Sequence, residues 1–384
     1  MKVLQLGKFY PIRGGVEKVM WDLTRGLSAR GVQCDMLCAT LASDPVDPQD
    51  LDHCEQTPEG KVIRFNDCGR VICVPAITKK AATMISPAMV RWLRRHAAEY
   101  DLIHIHHPDP MAALALRLSG YKGRVILHWH SDILSQKTLL VLYRPLQNWL
   151  INRADHILGT TPIYVRESPW LQDAQDKVGF VPIGIEPIRY EENAASDIRN
   201  QFPNKKIVVS LGRLIPYKGF STLIEAANRL GEGYQVLIGG MGPLRDDLQQ
   251  QIDSLGLQER VELLGYVADE TLPALYGACD VFVLSSVMKT EAFGIVQIEA
   301  MSCGKPVVAT RIPGSGTAWV NEDGVSGRNV APGDPEALAD AIREVCEDSV
   351  RWQQYADGAR ERFDAMFTAQ KMIDKIIDIY EEES

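Results

Sequence analysis

Apolar residues in this chain follow two alternating rhythms. Short unbroken runs rich in Val, Ile and Leu, such as VLQLG (3–7), VICV (71–74), RVILHWH (124–130), KIVVSLG (206–212) and VFVLS (281–285), alternate with stretches whose apolar positions recur every three or four residues. Strands buried on both faces give the first pattern, and helices covering a sheet give the second. The alternation predicts βαβ units and parallel sheets. Strands are expected at 3–7, 33–39, 71–74, 102–106, 124–130, 156–160 and 177–181, with helices near 16–30, 87–99, 110–119, 135–151 and 163–168. A second series has strands near 206–212, 234–239, 260–264, 281–285, 305–309 and 328–331, and helices near 219–231, 243–255, 270–278, 294–303 and 335–348.

Between the series lies GFVPIGIEPIRYEENAASDIRNQFPNKK, whose Pro, Gly and charge mark a linker. Two doubly wound α/β domains are therefore expected, 1–185 and 186–367. The last stretch, to about residue 380, carries helical pattern only and needs a surface to pack on. Two domains also suit the length, because 384 residues exceed what one core serves.

Composition narrows the function. With 46% hydrophobic and 24% charged residues the chain is that of a fully folding soluble enzyme. No run reaches the ~18 apolar residues of a bilayer span and the N-terminus lacks a signal-peptide pattern, so a cytoplasmic location is expected. The eight cysteines form no C-x-x-C pair and are expected to be reduced core residues. The net charge of −9 argues against nucleic acid as a partner. It is unevenly spread: residues 1–185 hold 22 basic and 18 acidic side chains, the remainder 19 and 32.

Open parallel sheets bind ligands at the carboxyl ends of their strands, and two such sheets face each other across a cleft, so chemistry is sought just after each strand. In TEAFGIVQIEAMSCGK, Glu291 closes the loop after a strand, Gly294, Ile295 and Val296 form the first turn of a helix whose amides suit a phosphate, and Glu299 follows at ribose distance. The same letters also describe an amphipathic helix with an acid at its start. In SLGRLIPYKG, Arg213 and Lys218 share one loop, a fork and a point charge suited to a diphosphate, unless both are merely solvated. Gly14 and Gly15 follow the first strand, and GGMGP at 239–243 is another glycine turn. His104, His106, His128 and His130 cluster on two strands; with no cysteine and no H-E-x-x-H beside them, a polar pocket wall is expected rather than zinc. P-loop and G-x-S-x-G motifs are absent.

Taken in order, Gly14-Gly15, HSD at 130–132, GRLIPYKG, GGMGP and EAFGIVQIE resemble the retaining glycosyltransferases of family 4 over nearly the whole chain. The resemblance implies the GT-B fold, two Rossmann-like domains facing a cleft, with a C-terminal helix (368–384) returning to the first. It implies a nucleotide-sugar donor held by the second domain. Glu291 would lie at the donor sugar and Gly294, Ile295 and Val296 on its diphosphate. Arg213 and Lys218 would neutralise the leaving group without a metal or other cofactor, Glu299 would take the ribose, and Tyr266-Val267 the base. His130 would line the sugar side, and Gly14 and Gly15 would approach the phosphates or the acceptor. Gln297 stands where the family often has an aliphatic residue.

The first domain would bind the acceptor, a lipid-linked sugar or oligosaccharide of surface polysaccharide synthesis. Lys79, Lys80, Arg91, Arg94 and Arg95 beside Met89 and Trp92, with LLVLYRPLQNWLINR at 139–153, suggest peripheral contact with anionic membrane; two core helices with solvated basic faces are the alternative. GDP-mannose or a GDP-deoxyhexose is the favoured donor and a UDP-hexose the next. A non-catalytic two-lobed nucleotide- or carbohydrate-binding protein, or a nucleotide-sugar epimerase of the same fold, are the competing readings.

Overall fold

The computed structural model describes residues 1–12, 15–80, 83–133 and 137–382. The chain divides into two compact units, Met1–Ile183 with Ala369–Ser384, and Gly184–Thr368.

In the first unit the elements run β1 (Lys2–Phe9), α1 (Val16–Ala29), β2 (Gln33–Thr40), β3 (Cys54–Thr57), β4 (Gly60–Asn66), β5 (Gly69–Pro75), β6 (Thr78–Lys80), β7 (Thr83–Ile85), α2 (Pro87–His96), β8 (Leu102–His107), α3 (Pro110–Ser119), β9 (Arg124–Trp129), α4 (Lys137–Arg153), β10 (His156–Gly159), α5 (Pro162–Arg166) and β11 (Val178–Phe180). The sheet order is β11-β10-β9-β8-β1-β2-β5-β4-β3. Strand order reverses at β1, which pairs in parallel with β2 on one side and β8 on the other. The unbroken apolar runs are explained by this position: β1, β2 and β8 are covered on both faces and buried almost end to end.

The fold departs from the sequence expectation at several places; the β6–β7 hairpin and a helix at Glu192–Asn200, inside the expected linker, are additions to it. The polar segment 54–66 forms an antiparallel hairpin that extends the sheet past β5. Its half-exposed edge strands carry no continuous apolar run, so the pattern that marks central strands passes over them. The expected strand 177–181 shortens to three residues behind a 3-10 turn at Gln172–Lys177.

The second unit runs α6 (Glu192–Asn200), β12 (Lys206–Leu211), α7 (Phe220–Leu230), β13 (Tyr234–Gly239), α8 (Arg245–Ser254), β14 (Val261–Gly265), α9 (Leu272–Ala278), β15 (Val281–Leu284), α10 (Ile295–Ser302), β16 (Val307–Thr310), α11 (Thr317–Val320), β17 (Gly327–Val330), α12 (Pro335–Glu347) and α13 (Ser349–Met366). Its all-parallel sheet has the order β14-β13-β12-β15-β16-β17, the doubly wound arrangement with its switch point between β12 and β15. A core of Val208, Val236, Ile238, Val281 and Val283 packs beneath Leu223, Ile224, Leu338 and Ile342 of α7 and α12.

The chain leaves this unit as it entered: Ile185 pairs with Thr368, and the Ile185 amide donates to the Phe367 carbonyl at 2.9 Å. Helix α14 (Ala369–Glu381) then belongs to the first unit, as its apolar stripe requires. Met372, Ile376 and Tyr380 are buried, and Arg124 donates to the carbonyls of Ile379 and Tyr380 at 2.7 and 2.8 Å. All eight cysteines are free; five are buried, while Cys54, Cys68 and Cys303 are only partly covered.

Candidate functional site

Because β12 and β15 are neighbours at the switch point of the second unit, the loops that follow them leave the sheet side by side. Backbone contacts tie these loops together: the Val287 amide donates to the Tyr217 carbonyl at 2.8 Å and the Ser285 hydroxyl to the Lys218 carbonyl at 2.9 Å. Gly219 permits this approach, since it sits at φ +68° and a Cβ there would lie 2.1 Å from the Ser285 carbonyl oxygen.

The Lys218 ammonium consequently meets the Glu291 carboxylate at 2.5 Å, with side-chain exposures of 13% and 11%. The same Oε2 accepts from the Ser286 hydroxyl at 2.9 Å, and the Glu291 backbone carbonyl accepts from the Ser315 hydroxyl at 2.5 Å. Arg213, five residues before Lys218, is exposed. Gly294 caps α10 at φ +77°, and the amides of Ile295 and Val296 open that helix beside Glu291.

Further along, the Glu299 carboxylate accepts from the buried Tyr276 hydroxyl at 2.6 Å. Burial and the Glu299 charge push the Tyr276 phenol well above its ordinary pKa, so it remains a donor. The glycines at 239–243 do more than turn. Leu214 donates to the Met241 carbonyl and Leu244 to the Leu214 carbonyl, and a Cβ on Gly240 would come within 1.8 Å of the Gly212 carbonyl oxygen. Val267 packs near Gly239 and Leu211 at the same rim, while Tyr266 is 74% exposed.

In the first unit the corresponding switch point lies between β1 and β8, and Lys8 and Asp109 stand at its mouth. Asp109 caps α3 by accepting from the amides of Met111 and Ala112, and it also accepts from the Lys8 amide at 2.5 Å. The Lys8 ammonium donates to the Pro108 carbonyl. Burial pulls the pKa of Lys8 down and pushes that of Asp109 up, each partly opposed by the other's charge.

Beside them the rings of His104, His106, His128 and His130 form one stack. Burial holds the pKa of every ring in the stack down, to about 3 for His128, and likewise to about 3 for His107, which stacks on Trp129, so all are neutral. Nitrogens of His106, His128 and His130 lie within 4.8 Å of one another. Their planes, however, are nearly parallel, 10° apart for His128 and His130 and 14° for His106 and His130. In-plane lone pairs on stacked rings run alongside each other rather than meeting at the centre of a tetrahedron.

Glu291, Lys218, Gly294, Ile295, Val296, Val267 and Tyr266 thus all lie on loops or helix starts at the carboxyl ends of the second unit's strands, with Arg213 in the same loop as Lys218 and Glu299 one turn into α10. His130 lies at the mouth of the first unit, its amide donating to the His107 carbonyl at 3.2 Å. Gly15 precedes α1 at φ +60°; Gly14 lies outside the described residues. The structure corrects one placement: Met89 and Trp92 are core residues of α2, 1% and 6% exposed, and cannot lie against headgroups. The basic side chains beside them are engaged in part, Arg95 with Glu59 and Arg94 with the Leu118 carbonyl. Lys8, Asp109 and Tyr276 were not anticipated. The visible signal for Lys8 is a charged side chain near the end of an otherwise apolar strand run.

Residues 13–189 match the family model described as Glycosyltransferase Family 4, and residues 192–362 that of Glycosyl transferases group 1. The chain is 30% identical to the O-antigen chain mannosyltransferase C of Escherichia coli, over 99% of this chain and 98% of that one. It is 31% identical to the D-rhamnosyltransferase WbpZ of Pseudomonas aeruginosa, over 96% and 93%. In fold it is similar to the HepE protein of Anabaena, solved in complex with UDP, with a TM-score of 0.79 and 24% identity over 99% of both chains.

Proposed function

From the premise that this chain belongs to glycosyltransferase family 4, we propose that it is a retaining, metal-independent enzyme moving mannose or a 6-deoxyhexose from a GDP-sugar to a lipid-linked or oligosaccharide acceptor in surface polysaccharide synthesis. The relatives named for mannosyl and D-rhamnosyl transfer support the sugar, since D-rhamnose is mannose without its 6-hydroxyl. The one observation that carries the reaction is the Lys218–Glu291 pair at the switch point, next to the N-terminus of α10.

Breaking a glycosyl phosphate bond develops positive charge at the anomeric carbon and negative charge on the diphosphate. Glu291 faces the first. Arg213, Lys218 and the Gly294–Val296 amides face the second, as fixed cations and dipoles that need no metal ion. Ser286 and Ser315 hold the carboxylate and its backbone, so the charges are set before the substrate arrives.

For the acceptor, the first unit supports a lipid carrier. An apolar cavity of about 370 Å³ is lined by Met111, Leu114, Ile133, Leu140, Tyr143 and Leu146, with Lys80 among its wall residues. Ile77, Val141 and Leu142 are 71–78% exposed in the same unit. A chain without any membrane-crossing helix among its described residues would dock there peripherally, on the cytoplasmic face. Replacing Val141 and Leu142 by Asp should lower turnover of a lipid-linked acceptor and leave a water-soluble acceptor unaffected.

The donor is tested by thermal shift of the purified protein with GDP, UDP, ADP and their sugar conjugates, each with and without EDTA. Stabilisation by GDP-mannose that survives EDTA supports the reading. Stabilisation by uridine nucleotides alone would move the donor to a UDP-hexose, the second reading, which the UDP-bound HepE structure favours. No shift with any nucleotide would return the chain to a non-catalytic binding role.

A further inference from the structure

We propose that Gln5 and Tyr380 fix the tautomer of His130, so that its Nδ1 is held as a bare acceptor at the mouth of the first unit's sheet. The proposal rests on the reading above that the first unit binds the sugar-bearing acceptor, and it assigns a positioning role to the C-terminal helix.

Strand register places the parts. His104 and His106 share one face of β8, and Gln5 of β1 pairs with His104 in the ladder, so its side chain stands on the same face. Helix α14 covers that face and brings down Tyr380. Gln5, His104, His106 and Tyr380 have no exposed surface and His130 has 5%. A continuous chain of hydrogen bonds follows: Gln5 Nε2 donates to the Tyr380 hydroxyl at 3.0 Å, and the hydroxyl meets His104 Nδ1 at 2.6 Å. Gln5 Oε1 meets His106 Nε2 at 2.7 Å, and His106 Nδ1 meets His130 Nε2 at 2.9 Å.

Each ring is neutral and therefore carries one N–H and one lone pair. That constraint lets one end of the chain dictate the other. Gln5 turns its NH2 toward Tyr380, with the Cys34 sulfur also on that side at 3.8 Å, and so offers its carbonyl to His106. His106 must then donate from Nε2, which leaves its Nδ1 as an acceptor. His130 must donate from Nε2 in turn, and its proton-free nitrogen is Nδ1.

That atom is buried and has no hydrogen-bond partner among the described residues. An unpaired buried acceptor is costly, and a donating hydroxyl is the group that relieves it. A sugar is a dense source of such hydroxyls. Turning the Gln5 amide over would reverse every bond and put a hydrogen on Nδ1, which repels the same hydroxyl proton. Tyr380 and Gln5 therefore select between an accepting and a donating His130 without touching the substrate.

The test uses the full chain labelled with 15N-histidine and long-range proton–nitrogen correlation spectra, with His130 assigned by the ring lost in His130→Asn. The native protein is expected to show His130 in a single neutral form, protonated at Nε2. Tyr380→Phe and Gln5→Met should turn that signal into a mixture of tautomers. They should also raise the KM for the lipid-linked sugar acceptor about tenfold, near the 1.4 kcal/mol of one hydrogen bond. Native His130 protonated at Nδ1 overturns the proposal. So does a tautomer unchanged in both variants, or one that shifts while KM stays put. The native spectrum decides the register even if a variant unfolds, and it needs no turnover, so failure of the transferase reading would be seen separately.

Discussion

At the scale of single residues, the Lys218–Glu291 pair serves two ends that substitution can separate. Both side chains are close to nine-tenths buried, so removing one partner strands a charge and should cost about 3 kcal/mol of stability in the second unit. Lys218→Met is expected to lower both the unfolding midpoint and the turnover, the latter about a hundredfold or more. Combining Lys218→Met with Glu291→Leu should restore most of the stability, since an apolar pair of similar volume replaces the ions. It should restore none of the activity. Parallel thermal melts and donor-turnover assays check this; recovery of turnover in the double variant would remove the pair from the chemistry. Gly240→Ala makes a second residue-scale expectation, because its Cβ would sit 1.8 Å from the Gly212 carbonyl oxygen and the loop carrying Arg213 must move. Nucleotide affinity measured by calorimetry should fall in that variant.

At the scale of elements, the central strands and their helices were legible because burial on both faces leaves a continuous apolar run that polar edges do not. The same reasoning explains the omission of β3 and β4, whose half-exposed residues read as loop. The site loops were legible as glycines and charges after strands, yet their contacts were not: nothing local says that Lys218 lies on Glu291, seventy-three residues away, because adjacency of β12 and β15 is a property of the sheet. Likewise the letters around Met89 and Trp92 fitted a headgroup-facing helix and a core helix with a basic face equally, and burial of both side chains by α2 decides for the second. For α14 an unassigned helical tail predicted that a partner surface exists, and α1 supplies it through Gly26. A Cβ there would lie 2.0 Å from Ile373 Cδ1, so Gly26→Val is expected to wedge the two helices apart at a cost of about 2 kcal/mol. The loss should appear as a lower unfolding midpoint and as faster amide exchange along α14. Gly26→Ala should be milder, since helix propensity returns about 1 kcal/mol.

At the scale of the whole molecule, charge and burial divide between the two units. The basic surplus of residues 1–185 all but vanishes once α14 joins them, because Ala369–Ser384 brings five acidic and two basic side chains. Any attraction of this unit to anionic membrane therefore depends on where its lysines stand rather than on net charge. The buried histidines give the first unit a histidine-based pH response that the second does not share, because all eight histidines fall before residue 157. Burial lowers the pKa of His107 and His128 to about 3, against about 6.5 in the unfolded chain. Between those values the unfolded state binds protons that the folded state refuses, so stability rises with pH across that window and is lost as pH falls. At pH 5 each such ring should cost about 2 kcal/mol relative to pH 7 or above. Calorimetry at pH 7.5 and pH 5 should therefore show two transitions drawing apart, with the first unit melting earlier at the lower pH. His128→Leu should flatten that dependence, because a ring with neither nitrogen hydrogen-bonded among the described residues is replaced by a side chain that takes no proton in either state.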